Sequence, residues 1–199
     1  MFNYKEVEVV KYSYVCLFLW KTIYARFCFI WYKLWELLFF VIKKNISLVL
    51  IFLKFDWFHR FLVCIDLIVY DQPGKRYRFT VIYYLLSVLY NTRIHLVSQL
   101  GDFHGLDTVY MLYKSINWSE REVWDMFGIL FYYHPDLRRI LTDYGFSGFP
   151  LRKNFPVTGY KELFYSDSIK NMNYKAVELL QARRDYIYSR QWIKSKIVS

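Results

Sequence analysis

The sequence predicts an α+β domain: a small, mostly antiparallel sheet flanked by helices and followed by an extended C-terminal segment. Hydrophobic residues make up 56% of the 199 residues, which is enough to bury the core of one domain. Residues 61–99 contain three short runs rich in β-branched and aromatic residues, separated by turn residues, as in a meander of strands. Helical patterns lie before and after these runs, which is typical of the α+β class.

The N-terminal part, residues 1–42, is predicted to be a helical extension of divergent sequence. Within residues 12–42 a lysine or arginine interrupts the apolar residues every five to seven positions, which favours helix over strand. Residues 45–55 (NISLVLIFLKF) predict a helix that begins near Asn45. We take residues 43–142 as the α/β body.

The strands of the body follow in order. Residues 61–70 (FLVCIDLIVY) predict the first strand, and the Pro73-Gly74 corner predicts a turn. Residues 77–89 then form the second strand of a hairpin. Residues 92–99 (TRIHLVSQ) alternate polar and apolar residues, which predicts an antiparallel strand with one exposed face.

Residues 118–156 differ from the rest of the chain in composition. They hold five basic and five acidic residues and three of the four prolines. Ser119 followed by Glu122 is a capping-box pattern and Gly128 a typical stop, so residues 120–127 predict a short helix. Pro135 predicts the first turn of a second short helix over residues 135–141.

Beyond this segment the chain is predicted to lack regular structure. Residues 143–165 predict an ordered loop, because glycine and proline recur there too often for a helix or a strand. We take residues 143–199 as an extended C-terminal segment.

Composition narrows the classes of protein to consider. The longest run without a charged residue, residues 79–92, is shorter than the roughly 20 residues that a membrane-spanning helix needs. No targeting segment is visible at the N-terminus. Cys16, Cys28 and Cys64 lack the spacing of a metal site, so we expect reduced core cysteines.

The charged segment raises two chemical possibilities. Glu122, Asp125, His134 and Asp136 could in principle form a metal site or an acid–base pair. However, the cations Arg121, Arg138, Arg139, Arg152 and Lys153 match the segment's acids in number. We therefore favour structural ion pairs over catalysis or metal binding.

An RNA-binding or ribosome-associated organellar protein is the alternative from a different class. The chain carries a net charge of +10, concentrated toward its two ends, as in proteins that bind nucleic acid. Tyr144, Phe146 and Phe149 could stack on bases. Against this, residues 118–156 are neutral and contain no RNA-recognition motif.

The charged segment and its flanks resemble a known family. NWSEREVWDMFGILF, followed by HPDLRRILTDYGFSGFPLRKNFPVTGY, is similar to the signature of the NuoC-type (thirty-kilodalton) subunit of respiratory complex I, the proton-pumping NADH:quinone oxidoreductase. Weaker similarity covers RFTVIYYLLSVLYNTRIHL and YDQPGKRYRF upstream and YKAVELLQARRDY downstream. The resemblance spans about residues 43–190, and residues 1–42 match nothing in it.

The resemblance implies a non-catalytic core subunit of the peripheral arm with a NuoC-type α/β fold. FMN, iron–sulfur clusters and ubiquinone would lie in neighbouring subunits, with no cofactor in this chain. The C-terminal segment would wrap the NuoD-type (forty-nine-kilodalton) subunit, without nucleic acid and with the membrane reached only through the complex.

The expected location is the matrix side of the mitochondrial inner membrane. A composition rich in Phe, Tyr, Ile, Lys and Asn with only three alanines suits an AT-rich organellar gene. The residues expected to serve structure and assembly are Glu120, Arg121, Glu122, Asp125, His134, Pro135, Asp136, Arg138, Arg139, Asp143, Tyr144, Gly145, Arg152 and Lys153.

One position departs from the family pattern. Asn154 stands where the family has Asp in its RKDFP motif. A charge-assisted contact is therefore expected to become a neutral hydrogen bond.

Overall fold

A five-stranded mixed sheet and two helices on one of its faces form the core of the protein. The computed structural model describes residues 28–33, 36–181 and 184. The strands are β1 (Cys28–Lys33), β2 (Glu36–Val41), β3 (Val63–Asp71), β4 (Phe79–Ser87) and β5 (Thr92–Leu100), in the spatial order β1-β2-β5-β4-β3. Among the described strands of this sheet, only β2 and β5 pair in parallel. The predicted α+β class and mostly antiparallel sheet are confirmed.

The helical prediction for residues 12–42 is wrong where the structure describes them, since residues 28–33 and 36–41 are strands; residues 12–27 lie outside the described part. The two runs, CFIWYK and ELLFFV, are rich in aromatic residues that favour strands. β1 and β2 pair locally with each other, but β2 also has a non-local partner, since it lies beside β5 with Leu37 opposite Ile94. A local pattern cannot reveal such a partner.

The three predicted strands of the meander are confirmed, with one correction. β3 and β4 form the expected hairpin, and Gly74 at φ 95 supplies the left-handed turn residue. β5 was expected to expose one face. Instead it lies between β2 and β4, and all five side chains of one face and two of the four on the other are buried.

Helix α1 (Ile46–Phe55) confirms the helix predicted over residues 45–55. Its apolar face contributes Ile46, Val49, Leu50 and Leu53 to the core. Cys64, in β3, also lies in this core, and burial raises the pKa of its thiol to about 12. No helix of the described part is long and apolar enough to span a bilayer.

Helix α2 (Asn117–Phe127) begins earlier than predicted. A 3₁₀ turn (Lys114–Ile116) leads directly into it, so Ser119 lies inside the helix and the predicted capping box is absent from its start. The predicted C-terminal stop is confirmed, because Gly128 adopts φ 72 and donates its N–H to the carbonyl of Trp124.

The remaining elements are short. β6 (Leu106–Asp107) pairs in parallel with β7 (Phe131–Tyr132). The second helix predicted over residues 135–141 is wrong, since this stretch consists of turns and bends. Main-chain N–H groups of this stretch donate to a side chain of α2, as described below, and not to carbonyls of a helix of their own.

The chain divides into two compact units after Pro156, later than the predicted boundary at residue 143. The second unit contains a hairpin of β8 (Lys161–Ser166) and β9 (Asn171–Ala176). The predicted loop over residues 143–165 therefore ends at Tyr160, and the C-terminal segment is not extended throughout.

Candidate functional site

Asp125 is the centre of the charged segment. Its fully buried carboxylate accepts five hydrogen bonds. One oxygen accepts the N–H groups of Ile140, Leu141 and Thr142 at 3.2, 2.8 and 2.9 Å. The other accepts the Thr142 hydroxyl at 2.6 Å and the Arg139 guanidinium at 3.1 Å. A single side chain of α2 therefore sets the path of residues 139–142.

These contacts determine the charge of Asp125. Burial acts to raise the pKa of the carboxyl, but the hydrogen bonds from Thr142, Leu141 and Ile140 outweigh it and hold the pKa below its ordinary value. Asp125 is therefore a stable carboxylate with its oxygens occupied.

Two arginines enclose the ring of Phe149. The guanidinium carbon of Arg139 lies 5.3 Å from the ring centroid and that of Arg152 lies 4.6 Å from it. Arg139 also donates to the carbonyl of Gly148 at 3.1 Å, and Arg152 donates to the carbonyl of Phe127 at 2.6 Å. The loop is thereby tied to the C-terminal end of α2.

Gly128 allows this close approach. A Cβ atom at this position would lie 2.6 Å from the ring of Phe149 and 2.8 Å from a guanidinium nitrogen of Arg152. Both the left-handed φ and the contact with the loop therefore require glycine.

A second anchor joins the β3–β4 hairpin to residues 152–154. Arg78 binds Asp71 through two bonds of 2.6 and 2.7 Å, and the same carboxylate accepts the N–H of Lys153 at 2.8 Å. The Arg78 guanidinium lowers the pKa of Asp71. Asn154 accepts a bond from Arg78 at 2.9 Å. The bond at this position therefore remains charge-assisted, because its donor is an arginine, which differs from the predicted neutral bond.

Glu120 and His134 form a buried polar pair on another side of α2. Glu120 accepts the N–H of Val109 at 2.9 Å and the hydroxyl of Thr108 at 2.5 Å. Nδ1 of His134 accepts the N–H of Asp136, so Nε2 carries the proton and lies 3.6 Å from Glu120. Burial raises the pKa of Glu120 to about 7 and lowers that of His134.

The residues of the suggested metal or acid–base site are not brought together. Asp125 is buried, whereas Glu122 and Asp136 are exposed. His134 faces Glu120 instead of the other three residues. In the part of the chain that the structure describes, no group of three or more His, Cys, Asp or Glu side chains is placed to hold a metal ion.

The ion-pair interpretation is only partly correct. Arg139 pairs with buried Asp125. Arg138 instead pairs with Asp136 at the surface, while its carbonyl accepts the Arg121 guanidinium. The guanidinium of Arg152 donates to the main-chain carbonyl of Phe127, and Lys153 donates only its main-chain N–H, to Asp71. The cations therefore bind carbonyl groups and rings as well as carboxylates.

The predicted site residues separate into two groups. The inward group shapes the loop and consists of Glu120, Arg121, Asp125, His134, Arg139 and Arg152. The outward group is exposed and consists of Glu122, Pro135, Asp136, Arg138, Asp143, Tyr144, Gly145 and Lys153.

Sequence reasoning missed several partners of the site. Asp71 and Arg78 flank the predicted hairpin turn with opposite charges, and this could have suggested their pairing. Thr108 and Thr142 carry no comparable signal. Their bonds join residues 12 and 17 positions apart through irregular chain.

Comparison with known proteins connects this geometry to one family. A profile described as "Respiratory-chain NADH dehydrogenase, 30 Kd subunit" matches residues 39–161. The "NADH-ubiquinone oxidoreductase subunit 9" of Prototheca wickerhamii is 45% identical over 157 residues, which cover 79% of this chain and 82% of the relative.

Two further relatives agree with this match. The "NADH dehydrogenase [ubiquinone] iron-sulfur protein 3" of Beta trigyna is 47% identical over 143 residues (72% of this chain, 74% of the relative). The "NADH-ubiquinone oxidoreductase subunit 9" of Dictyostelium citrinum is 44% identical over 154 residues (75% of this chain, 74% of the relative).

A solved structure shares the fold. A chain in the structure of the membrane-bound sulfane sulfur reductase, an archaeal respiratory membrane complex, aligns with a TM-score of 0.62 and 23% identity. The alignment covers 73% of this chain and 85% of that chain.

Proposed function

Because this chain belongs to the family of the 30 kDa subunit of the respiratory-chain NADH dehydrogenase, we propose that it is a non-catalytic core subunit of the peripheral arm of complex I. It supports the quinone-reducing module and holds a NuoD-type subunit in position. The resemblance found in residues 118–160 is thereby confirmed, and the match favours this function over the RNA-binding alternative.

One observation carries the non-catalytic role: Asp125, Arg139 and Arg152, in the inward group, are occupied in shaping the loop. Asp125 holds residues 139–142 through five hydrogen bonds, and Arg139 and Arg152 enclose Phe149. A carboxylate bound in this way has no oxygen left to act as a general base.

The outward group is suited to contact another protein. The side chain of Tyr144, in this group, is 99% exposed, and Tyr133 and Leu141 of the same charged segment are also exposed. Large exposed aromatic side chains on a fixed loop lose little conformational entropy on binding, which favours them at interfaces. We assign this surface to the NuoD-type neighbour.

FMN, iron–sulfur clusters and ubiquinone then belong to other subunits of the assembly. The chain would act on the matrix side of the mitochondrial inner membrane and reach the membrane through its partners. Its contribution to electron transfer would be positional.

Purification of the tagged full chain in mild detergent tests this function. We expect the chain to migrate on native gels with NADH dehydrogenase activity, and depletion of the chain to remove that activity. The isolated chain should not oxidise NADH. Migration with ribosomes that is abolished by high salt would contradict the proposal, as would turnover by the chain alone.

Crosslinking of the intact complex tests the partner. Lys153, in the outward group, is expected to crosslink to the NuoD-type subunit. Links from Lys153 only to other subunits would overturn that assignment but leave membership of the complex intact.

A further inference from the structure

A cavity of about 380 Å³ lies at one end of the five-stranded sheet. β2 and β5 run parallel and β4 antiparallel to them, so the chain that follows β2, ends β5 and precedes β4 meets at this end. These three stretches supply the lining, which consists of Lys43, Arg76, Tyr77, Gln99, Gly101 and His104. The candidate site described above uses none of these residues.

The charge of the lining is positive and is not balanced within the cavity. Lys43 and Arg76 contribute an ammonium and a guanidinium, and His104 adds an imidazole. No Asp or Glu is among the described residues that line the cavity. The neighbouring acid, Asp102, binds Arg78 at 3.1 Å instead. Lys43, Arg76 and His104 form no ion pair within the described part of the chain, so their donors are available to an anion.

Gly101 allows His104 to reach the cavity. The His104 N–H donates to the carbonyl of Gly101 at 3.2 Å, which turns the chain back on itself after β5. A Cβ atom at position 101 would lie 2.8 Å from Nδ1 of His104, so a side chain there would displace the imidazole. The imidazole therefore packs directly against the main chain of Gly101, in the wall of the cavity.

An aromatic ring and an amide lie beside these cations. The side chain of Tyr77 is exposed, and the guanidinium carbon of Arg76 lies 5.7 Å from its ring centroid. Gln99 adds an amide that can both donate and accept hydrogen bonds. Cationic donors bind phosphate, and an aromatic ring stacks on a planar base. The volume falls within the range of about 300–1,000 Å³ that is typical of small-molecule sites, so the cavity has room for a base as well as its phosphate.

We propose that this cavity binds a nucleoside phosphate. Lys43, Arg76 and His104 donate to the phosphate, and the ring of Tyr77 stacks on the base. Because the lining side chains are partly exposed to solvent, salt should screen the attraction and weaken the binding. This binding is separate from the positional role of the chain in complex I, since all the lining residues belong to this chain.

Isothermal titration calorimetry of the full chain with AMP tests the site. We expect saturable binding that Arg76→Gln weakens by about tenfold, the loss expected for one charge-assisted hydrogen bond. Arg93→Gln removes the same charge and is the matched control, because Arg93 is exposed on the same face of β5 as Gln99 but about 20 Å along the strand. At that distance screening in 0.1 M salt should keep the affinity within about twofold of the native value. Equal losses for both variants would overturn the proposal, as would the absence of saturable binding to the native chain.

Two further ligands distinguish a nucleotide from other sources of phosphate. Tyr77→Leu should weaken AMP binding by about tenfold through the loss of stacking, but should leave the binding of inorganic phosphate within about twofold. Vesicles that contain phosphatidic acid should not displace AMP at an equal concentration of phosphate groups. If inorganic phosphate binds as tightly as AMP, or if these vesicles displace AMP, the ligand is not a nucleoside phosphate. Equal affinity of Tyr77→Leu and the native chain for AMP would likewise contradict the role of the ring.

Discussion

At the scale of single residues, the buried carboxyl groups of Asp125 and Glu120 have pKa values shifted in opposite directions. Asp125 remains charged because five donors surround it. Glu120 receives only the Thr108 hydroxyl and the Val109 N–H, so burial dominates and raises its pKa to about 7. The number of donors around each oxygen, and not burial alone, decides the charge state.

Replacing Asp125 by Ala should destabilise the protein strongly. The change leaves three N–H groups and the Arg139 guanidinium without their acceptor, which costs about 3–5 kcal/mol for a broken buried pair. Asp125→Asn keeps one acceptor oxygen and should cost less. Urea denaturation of the full chain measures both values. Equal stability of Asp125→Ala and the native protein would show that the loop does not depend on this carboxylate.

The raised pKa of Glu120 predicts how the stability of the protein depends on pH. Its pKa in the fold, about 7, exceeds the ordinary value of 4.5, so the folded state binds the extra proton. The stability that Glu120 contributes is complete below pH 4.5 and is lost as the pH rises through 7. His134 acts in the opposite sense, because its lowered pKa costs stability as the pH falls below 6.5.

The Glu120→Gln variant separates these two contributions. Relative to the native protein, its free energy of unfolding should rise by up to roughly 3 kcal/mol between pH 4.5 and pH 8. Urea unfolding at a series of pH values measures the difference. A difference that stays flat across this range would show that Glu120 ionises normally in the fold.

At the scale of elements, the end of α2 and the loop that follows it stabilise each other. Gly128 ends the helix, and the ring of Phe149 lies where a side chain at position 128 would be. Arg152 then binds the last carbonyl of the helix, that of Phe127, where a cation also complements the helix dipole. The end of the helix at Gly128, the position of the Phe149 ring and the position of the Arg152 guanidinium therefore depend on one another.

The Gly128→Ala variant should lose more stability than its backbone angle alone explains. The left-handed conformation costs about 1–2 kcal/mol for alanine, and the new Cβ would also displace Phe149 and Arg152. Gly145→Ala is the matched control, because Gly145 has φ 68 with no atom within 4 Å of a built Cβ. Thermal unfolding should rank Gly128→Ala clearly below Gly145→Ala. Equal losses would mean that the loop moves away at little cost.

At the scale of the whole molecule, the features that could be predicted from the sequence are those that depend on residues close together in the chain. The β3–β4 hairpin follows from its β-branched residues and its Pro73-Gly74 turn, and α1 follows from the apolar run that begins near Asn45. β2 pairs with the neighbouring β1 and with β5, a partner more than fifty positions away, whereas the helix was predicted from the spacing of basic residues over residues 12–42. Pairing across such distances leaves no periodic mark in the sequence.

The candidate site shows the same division between features that the local sequence predicts and features that depend on distant residues. Charge balance predicted structural ion pairs, and Asp125 and Arg139 form one. It could not indicate that residues 140–142 donate their main-chain N–H groups to Asp125, since that bonding replaces the helix that Pro135 and the following residues favour locally. Asn154 likewise binds Arg78, which lies 76 positions away, instead of its basic neighbours.

Charge reversal at two adjacent arginines distinguishes folding from assembly. Arg139→Glu would place a second carboxylate against buried Asp125, so the stability of the chain and the yield of the complex should both fall.

Arg138 pairs with Asp136 at the surface, where its side chain is 73% exposed. Because exposed pairs contribute at most about 1 kcal/mol, Arg138→Glu should barely change the melting temperature of the chain. The yield of complex on native gels should nevertheless fall, since Arg138 belongs to the outward group assigned to the NuoD-type subunit. If Arg138→Glu assembles as well as the native chain, this part of the loop does not contact a partner. If it melts as early as Arg139→Glu, Arg138 serves the fold and not the interface.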